Sequence, residues 1–285
     1  MEKYTYGSEL AIKEKAIIKQ QIRQLEEQGK RIPTLAVIMV GNDPASKVYV
    51  NSKDKACAEV GMQSKKILLQ EDSTQEELMN TIQQLNEDST IDGILVQMPL
   101  PKHLDELKVI DMIHPTKDVD GLTPENVGRL HLNLKGFIPC TPKGIMRLLD
   151  EMGVEYTGKR AVVIGRSKLV GSPVAKLLES KNCTVTICHS KTQDIKKVCQ
   201  EADIIIAAVG KARMIDASYI KKGAYVIDVG INRVDGKLCG DVDMDSVYPL
   251  CQKITPVPKG VGPMTIAMLL ENTMEAYYAK EESND

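Results

Sequence analysis

The sequence predicts an α/β protein: two α/β domains with a cleft between them, the second a Rossmann-like dinucleotide-binding domain. Three observations predict it. Short apolar runs alternate with helical segments, a pattern that favours parallel strands joined by helical crossovers. From Arg160 a strand runs into the glycine turn Gly165-Arg-Ser-Lys-Leu-Val-Gly171, then into a helix reaching about Ser180, the order used to hold a dinucleotide's phosphates. The length, 285 residues with 42% hydrophobic, is enough for two cores. The expected division is residues 1–138, residues 139–263, and a last helix from 264 that packs back on the first domain.

A formal net charge of −2 with mixed signs gives no basic footprint for nucleic acid and no polybasic patch for a membrane. The opening MEKYTYGSEL lacks the apolar stretch of a signal peptide, and runs such as LAVIMV are too short to span a bilayer. A cytoplasmic protein is expected. The seven cysteines (Cys57, Cys140, Cys183, Cys188, Cys199, Cys239, Cys251) form an odd set with no CxxC pair. They read as reduced core residues rather than a disulfide framework or a zinc site. With no Trp and one Phe, the core must rest on Ile, Leu, Val, Met and Ala.

In the first half, a helix is expected over about 8–28, a buried strand over 35–40, and then the helix around which the rest is organised. Asp43 can cap it, Pro44 suits its first position, and Gly61 is the usual stop. At about 100° per residue, Lys47, Asn51, Asp54, Lys55 and Ala58 share a polar arc. The opposite arc places Ser46, Tyr49 and Lys53 among Ala45, Val50, Ala56, Cys57 and Val60. Lys53 either snorkels along its methylenes to the surface or is a partly desolvated amine, with a pKa low enough for proton transfer near neutrality. A strand at 65–69, a helix at 74–86 and a strand at 93–97 follow. Gln97 sits at a strand's carboxyl end, where ligands of parallel sheets gather. It offers a donor and an acceptor without charge, suited to orienting a lysine, or it is a solvated strand end. The loop His114–Pro124 is dense in turn formers. Asp118 or Asp120 can build turns there, or one of them can accept two hydrogen bonds from an amino-heterocycle; His114 reads as structural.

In the second half, a helix is expected over 141–152. The glycine-turn unit is followed by a strand at 184–188, a helix at 194–201, a strand at 203–209, a helix at 216–221 and a strand at 224–229. The second strand of this series ends in His189-Ser190-Lys191, where an NAD enzyme usually places an acid on the ribose. With no carboxylate there, Ser190 and Arg166 can hold a 2′-phosphate, so the cofactor is read as NADP. Val209-Gly210-Lys211 and Asp228-Val-Gly-Ile-Asn232 end two more strands, where loops would line the nicotinamide half. Gly236 fits a turn between short strands. The last helix, 264 to about 280, carries a stripe of Ile266, Leu269, Leu270, Thr273 and Tyr277.

The stretches VGNDPASKVYVNSKDKAC, DGILVQMPLPKHLD, HPTKDVDGLTPENVGRL, GRSKLVGSPVAKLL, VIDVGIN, GDVD and PVPKGVGPMTIAMLLENT run the length of the chain. Through them the chain resembles the bifunctional methylenetetrahydrofolate dehydrogenase/cyclohydrolase family. The resemblance implies oxidation of 5,10-methylenetetrahydrofolate by NADP to the methenyl cation and hydrolysis to 10-formyltetrahydrofolate. It implies that Lys53 is the key cyclohydrolase residue, that Tyr49 stacks near the substrate, that Gln97 orients Lys53 and that Asp120 anchors the pterin. Ser46, Gly262 and Pro263 are implied substrate contacts. Gly165, Arg166, Ser167, Ser190, Gly210 and Ile231 are implied cofactor contacts, with Arg166 and Ser190 on the 2′-phosphate. A homodimer is likewise implied. Lys259 departs from the family, which commonly has glycine in PVPGGVGP. The competing readings are an NADP-dependent dehydrogenase of another small substrate and a non-enzymatic NADP sensor.

Overall fold

The computed structural model describes residues 2–284. The chain divides into two compact units, one of Lys13–Cys140 with the segment from Ile266 onward, the other of the residues up to Ile12 with Thr141–Thr265. The first twelve residues thus group with the second unit and not, as expected, with the first. A parallel bridge from Tyr4 to Ile254 and the bond from Thr5 N to the Ile254 carbonyl tie them there.

The first unit takes in α1 (Gly7–Glu27) from Lys13 onward, then β1 (Thr34–Val40), α2 (Pro44–Val60), β2 (Gln63–Leu69), α3 (Gln75–Glu87) and β3 (Gly93–Val96). The three strands form a parallel sheet in the order β2-β1-β3. Every residue of β1 is buried, as the unbroken apolar run TLAVIMV requires of a central parallel strand covered on both faces. The start of α2 follows the expected chemistry: Asp43 accepts from the Ser46 amide at 2.7 Å, Pro44 occupies the first turn, and Gly61 closes the helix at φ +88°. The start of α3 is a capping box between Thr74 and Glu77. Two further helices, α4 (Glu106–Met112) and α5 (Pro124–His131), were not anticipated. At seven and eight residues they are too short to show an apolar period, although the Asp105 and Thr123 caps were readable.

The second unit takes in α6 (Cys140–Glu151), β4 (Arg160–Ile164), α7 (Gly171–Ser180), β5 (Thr184–Cys188), α8 (Ile195–Cys199), β6 (Ile204–Ala207), β7 (Tyr225–Asp228), the hairpin β8 (Asn232–Val234) and β9 (Lys237–Cys239), α9 (Met244–Val247) and β10 (Lys253–Ile254). Five strands make a parallel sheet in the order β10-β7-β6-β4-β5. The order reverses between β4 and β6, so the crevice beyond their carboxyl ends is the ligand position of a doubly wound sheet. The helix expected at 216–221 is a single 3-10 turn, Ala217–Tyr219. Asp216 accepts from the Ser218 amide at 2.8 Å and from its hydroxyl, a local bond that competes with helix propagation.

The last helix, α10 (Val261–Asn284), starts three residues before the expected Met264. Pro263 therefore lies inside the first turn, where a missing amide costs nothing. From Ile266 it belongs to the first unit, and its burial is wider than the predicted stripe: Ala267, Met268, Asn272, Met274 and Ala276 are buried as well. Arg31 stacks 4.5 Å over the Tyr277 ring and forks onto Asp92 with two bonds of 2.7 Å. Lys259, just before the helix, takes φ +79°. That is the left-handed backbone which glycine adopts without cost.

Candidate functional site

The first unit gathers Lys53, Gln97 and Asp120. Lys53 is half-buried on α2, and its Nζ donates to Gln97 Oε1 at 2.9 Å. Gln97 is fixed at the end of β3 by its own amide on the Ile38 carbonyl (2.8 Å) and by its Nε2 on the Met98 carbonyl (2.7 Å). Burial pushes the Lys53 amine below the ordinary lysine value, against the nearby Asp120 and Cys140, which favour the charged form. Burial likewise pushes the Asp120 carboxyl up, opposed by the Lys53 charge and a bond from the Cys140 thiol. A base made weaker and an acid made weaker thus sit side by side.

The open choice between the two loop aspartates resolves by geometry. Asp118 is 1% exposed and accepts from the amides of Leu122 (3.2 Å) and Thr123 (2.8 Å) and from Asn126 Nδ2 (2.9 Å), so it builds the turn. Asp120 is the one beside Lys53. Its backbone is held from α10, where the buried Asn272 donates to the Val119 carbonyl at 2.8 Å and the Ile138 carbonyl at 3.0 Å. Gly121 next to it has φ +69°, and a Cβ there would lie 2.8 Å from the Pro139 nitrogen. His114 is exposed, with Nδ1 bonded to Thr116 Oγ1 at 2.8 Å.

The helix-wheel placement of α2 holds for Ser46, buried at 4%, and Lys53, but Tyr49 is 45% exposed. The arc opens toward solvent in the helix's first turns, where Ala45 and Val48 are also exposed. Ser46 turns its amide and hydroxyl to the Asp43 carboxylate, a capping arrangement. Sequence reasoning passed over Asn272 and gave Cys140 only a core place; the first is one polar residue inside a buried helix, the second a thiol among seven.

In the second unit the turn after β4 can accept only glycine at two points. Gly165 has φ +124°, and a Cβ there would stand 2.1 Å from the Ala208 carbonyl oxygen; a Cβ on Gly171 would stand 2.3 Å from the Gly165 oxygen. This close approach is what a pyrophosphate cradle needs. Ser167 Oγ accepts from the Val170 amide at 3.2 Å. Arg166 and Ser190 are exposed at the ends of β4 and β5, and the three residues directly after β5, His189, Ser190 and Lys191, include no acid. His189 and Thr192 close that loop through the bond from His189 N to Thr192 Oγ1, 2.9 Å. Gly210 has φ +66° after β6, and Ile231 is 54% exposed after β7. The residues present therefore fit a dinucleotide carrying a 2′-phosphate. Gly262 and Pro263 lie in the first turn of α10, within the second unit.

Among the described residues, no group of three His, Cys, Asp or Glu is placed to hold a metal ion, and no helix is long and apolar enough to cross a membrane. None of the seven cysteines forms a disulfide, and six are buried.

Residues 5–120 match the family described as tetrahydrofolate dehydrogenase/cyclohydrolase, catalytic domain, and residues 139–281 match its NAD(P)-binding domain. The bifunctional protein FolD of Acetivibrio thermocellus is 55% identical over 271 residues, 95% of each chain. Among solved structures, the FolD methylenetetrahydrofolate dehydrogenase/cyclohydrolase of Campylobacter jejuni superposes with a TM-score of 0.94 at 46% identity, covering 96% of this chain and 98% of that one. The Trypanosoma brucei enzyme, complexed with NADP cofactor and inhibitor, gives 0.93 at 38% identity over 97% of each.

Proposed function

The chain belongs to the tetrahydrofolate dehydrogenase/cyclohydrolase family, and from that premise we propose that it oxidises 5,10-methylenetetrahydrofolate with NADP and hydrolyses the resulting 5,10-methenyl cation to 10-formyltetrahydrofolate. The observation that carries the reading is the half-buried Lys53 amine, lowered in pKa and bonded to the neutral Gln97 beside Asp120. NADP, when bound, supplies the hydride acceptor. The methylene carbon that gives up hydride is flanked by two nitrogens whose lone pairs stabilise the cation. Oxidation then asks the protein for position more than for an acid or base.

Hydrolysis asks for more. Water must add to the methenyl carbon and lose a proton, which an amine with lowered pKa can accept; the carbon–N5 bond then breaks as the new hydroxyl gives up its proton and N5 takes one up, leaving the formyl group on N10. Gln97 keeps that amine oriented without trapping it in an ion pair. Asp120 accepts hydrogen bonds from the pterin, and the exposed ring of Tyr49 stacks against it. Ser46 supports this end of α2 through the Asp43 cap, and the roles of Gly262 and Pro263 as substrate contacts rest on family likeness. For the cofactor, Gly165 and Gly210 permit close backbone approach, Ser167 sets the turn, Arg166 and Ser190 take the 2′-phosphate, and Ile231 offers an apolar contact. Residues 13–140, with the segment from Ile266, would supply the folate and catalytic domain, and 141–265, with the residues up to Ile12, the cofactor domain. Cysteines held as thiols suit the reducing cytoplasm, and the assembly we expect is a homodimer.

The direct test supplies methylenetetrahydrofolate with NADP, then with NAD, and follows absorbance of NADPH and of the methenyl species. NADPH formation with transient or no methenyl accumulation is expected. Turnover of a different small substrate, or cofactor binding with no turnover at all, would replace this reading.

A further inference from the structure

Two loops close the carboxyl ends of β6 and β7, residues 209–211 and 230–232, and one buried side chain fastens both. Asp241, 0% exposed, accepts through Oδ2 from the amides of Val209 (2.7 Å) and Gly210 (2.9 Å). Through Oδ1 it accepts from the amide of Lys211 (2.8 Å) and from Asn232 Nδ2 (2.9 Å). Its own backbone is pinned, the amide donating to Asp228 Oδ1 at 2.8 Å and the carbonyl accepting from the Ile215 amide at 2.9 Å. Gly230 makes room for it: a Cβ there would fall 2.2 Å from Asp241 Oδ1.

Three successive amides converging on one carboxylate form a concavity that binds anions, and this one lies along the carboxyl edge of the sheet, where ligands gather. The same edge carries the Gly165 turn. A dinucleotide's phosphates would meet two sites for negative charge, and the carboxylate of Asp241 already fills one. We propose that Asp241 is a positioning residue for NADP: it occupies the amides of Val209, Gly210 and Lys211 with the protein's own charge, holds Asn232 in the same grip, and so leaves the Gly165 turn as the place for the cofactor's phosphates. This rests on reading residues 141–265 as the cofactor unit.

The test uses Asp241→Ala and Asp241→Asn in the full chain, with NADP binding measured by calorimetry and hydrolysis measured on supplied methenyl substrate without cofactor. Expected is a loss of NADP affinity of about tenfold or more, the effect of removing a charged hydrogen-bond partner. Hydrolysis should stay within about twofold by the same token, since Asp241 lies outside the lysine site. Added acetate should refill the emptied amides of the alanine variant and restore binding, whereas chloride at equal ionic strength should not. Unchanged NADP affinity in both variants would overturn the proposal. So would parallel loss of hydrolysis and binding with a lowered unfolding midpoint in both, which would make Asp241 a general structural residue. Because binding is read without folate, a wild type that binds NADP but fails to oxidise methylenetetrahydrofolate would count against the function proposed above and not against Asp241.

Discussion

Lys53 Nζ lies 2.9 Å from Gln97 Oε1, and the amide nitrogen of Gln97 is already committed to the Met98 carbonyl at 2.7 Å. That second bond decides which end of the glutamine faces the lysine, an assignment the hydrogen-bond network makes. The amine therefore meets a neutral acceptor. A carboxylate in its place would favour the ammonium. Gln97→Glu should raise the Lys53 pKa and slow hydrolysis at pH 7 about tenfold or more, one pKa unit being tenfold in neutral amine. Decay of supplied methenyl substrate measures it; an unchanged rate would separate Gln97 from the step.

Lys53 itself makes the sharper prediction. Lys53→Met should abolish hydrolysis while leaving NADP binding, since the cofactor turn belongs to the other compact unit. In the wild type the hydrolysis rate should rise with pH along a limb below the ordinary lysine value, because burial favours the neutral amine. Asp120 opposes that shift, so Asp120→Asn should move the limb to still lower pH. A limb that stays put, or moves up, would mean that Asp120 does not face the amine in solution.

The exposed Arg166 at the end of β4, with no acid among the three residues directly after β5, predicts cofactor choice. Arg166→Ala should weaken NADP by about ten- to a hundredfold through loss of a charge-assisted phosphate contact, and NAD by no more than about threefold. Equal losses in parallel calorimetric titrations would place Arg166 elsewhere than on the 2′-phosphate.

Asp228 makes a prediction about stability. It is 1% exposed, and burial pushes its carboxyl up to about 7 although the amides of Asp241, Val242 and Gly230 favour the charged form. In the unfolded chain the same group ionises near about 3.9. Between those values the native state binds the extra proton, so this contribution is complete below about pH 4, declines by about 1.4 kcal/mol per pH unit, and is gone once pH passes about 7. Urea midpoints from pH 4 to 8 should show that slope in the wild type and not in Asp228→Asn; parallel curves would contradict it.

The sequence made the regular elements legible and left the polar interior mostly hidden. β4 and β5 fall where their apolar runs and flanking turns placed them, and α2 was readable from Asp43, Pro44 and Gly61. Helix periodicity put Lys53 on the right face of α2, but it has nothing to say about Lys117, which lies in a turn. The latter is also buried, yet donates to the Leu85, Asn86 and Asp88 carbonyls at 2.8 Å each and simply closes the end of α3. What separates the two is the partner, and partners come from tertiary structure. The same holds for Asp118 against Asp120, two residues apart with different work, and for Asp241, whose four donors lie 9 to 32 positions away in sequence.

The grouping of the chain ends has a consequence for anyone who would rebuild this protein. The segment up to Ile12 belongs with Thr141–Thr265, and the segment from Ile266 belongs with Lys13–Cys140. A single cut near residue 140 would strip the amino-terminal fragment of Asn272, which ties down Val119, and of Tyr277, which stacks on Arg31. Exchanging one nucleotide preference for another by recombination would accordingly call for a graft with two internal junctions and a matched leading peptide, not an end-to-end fusion.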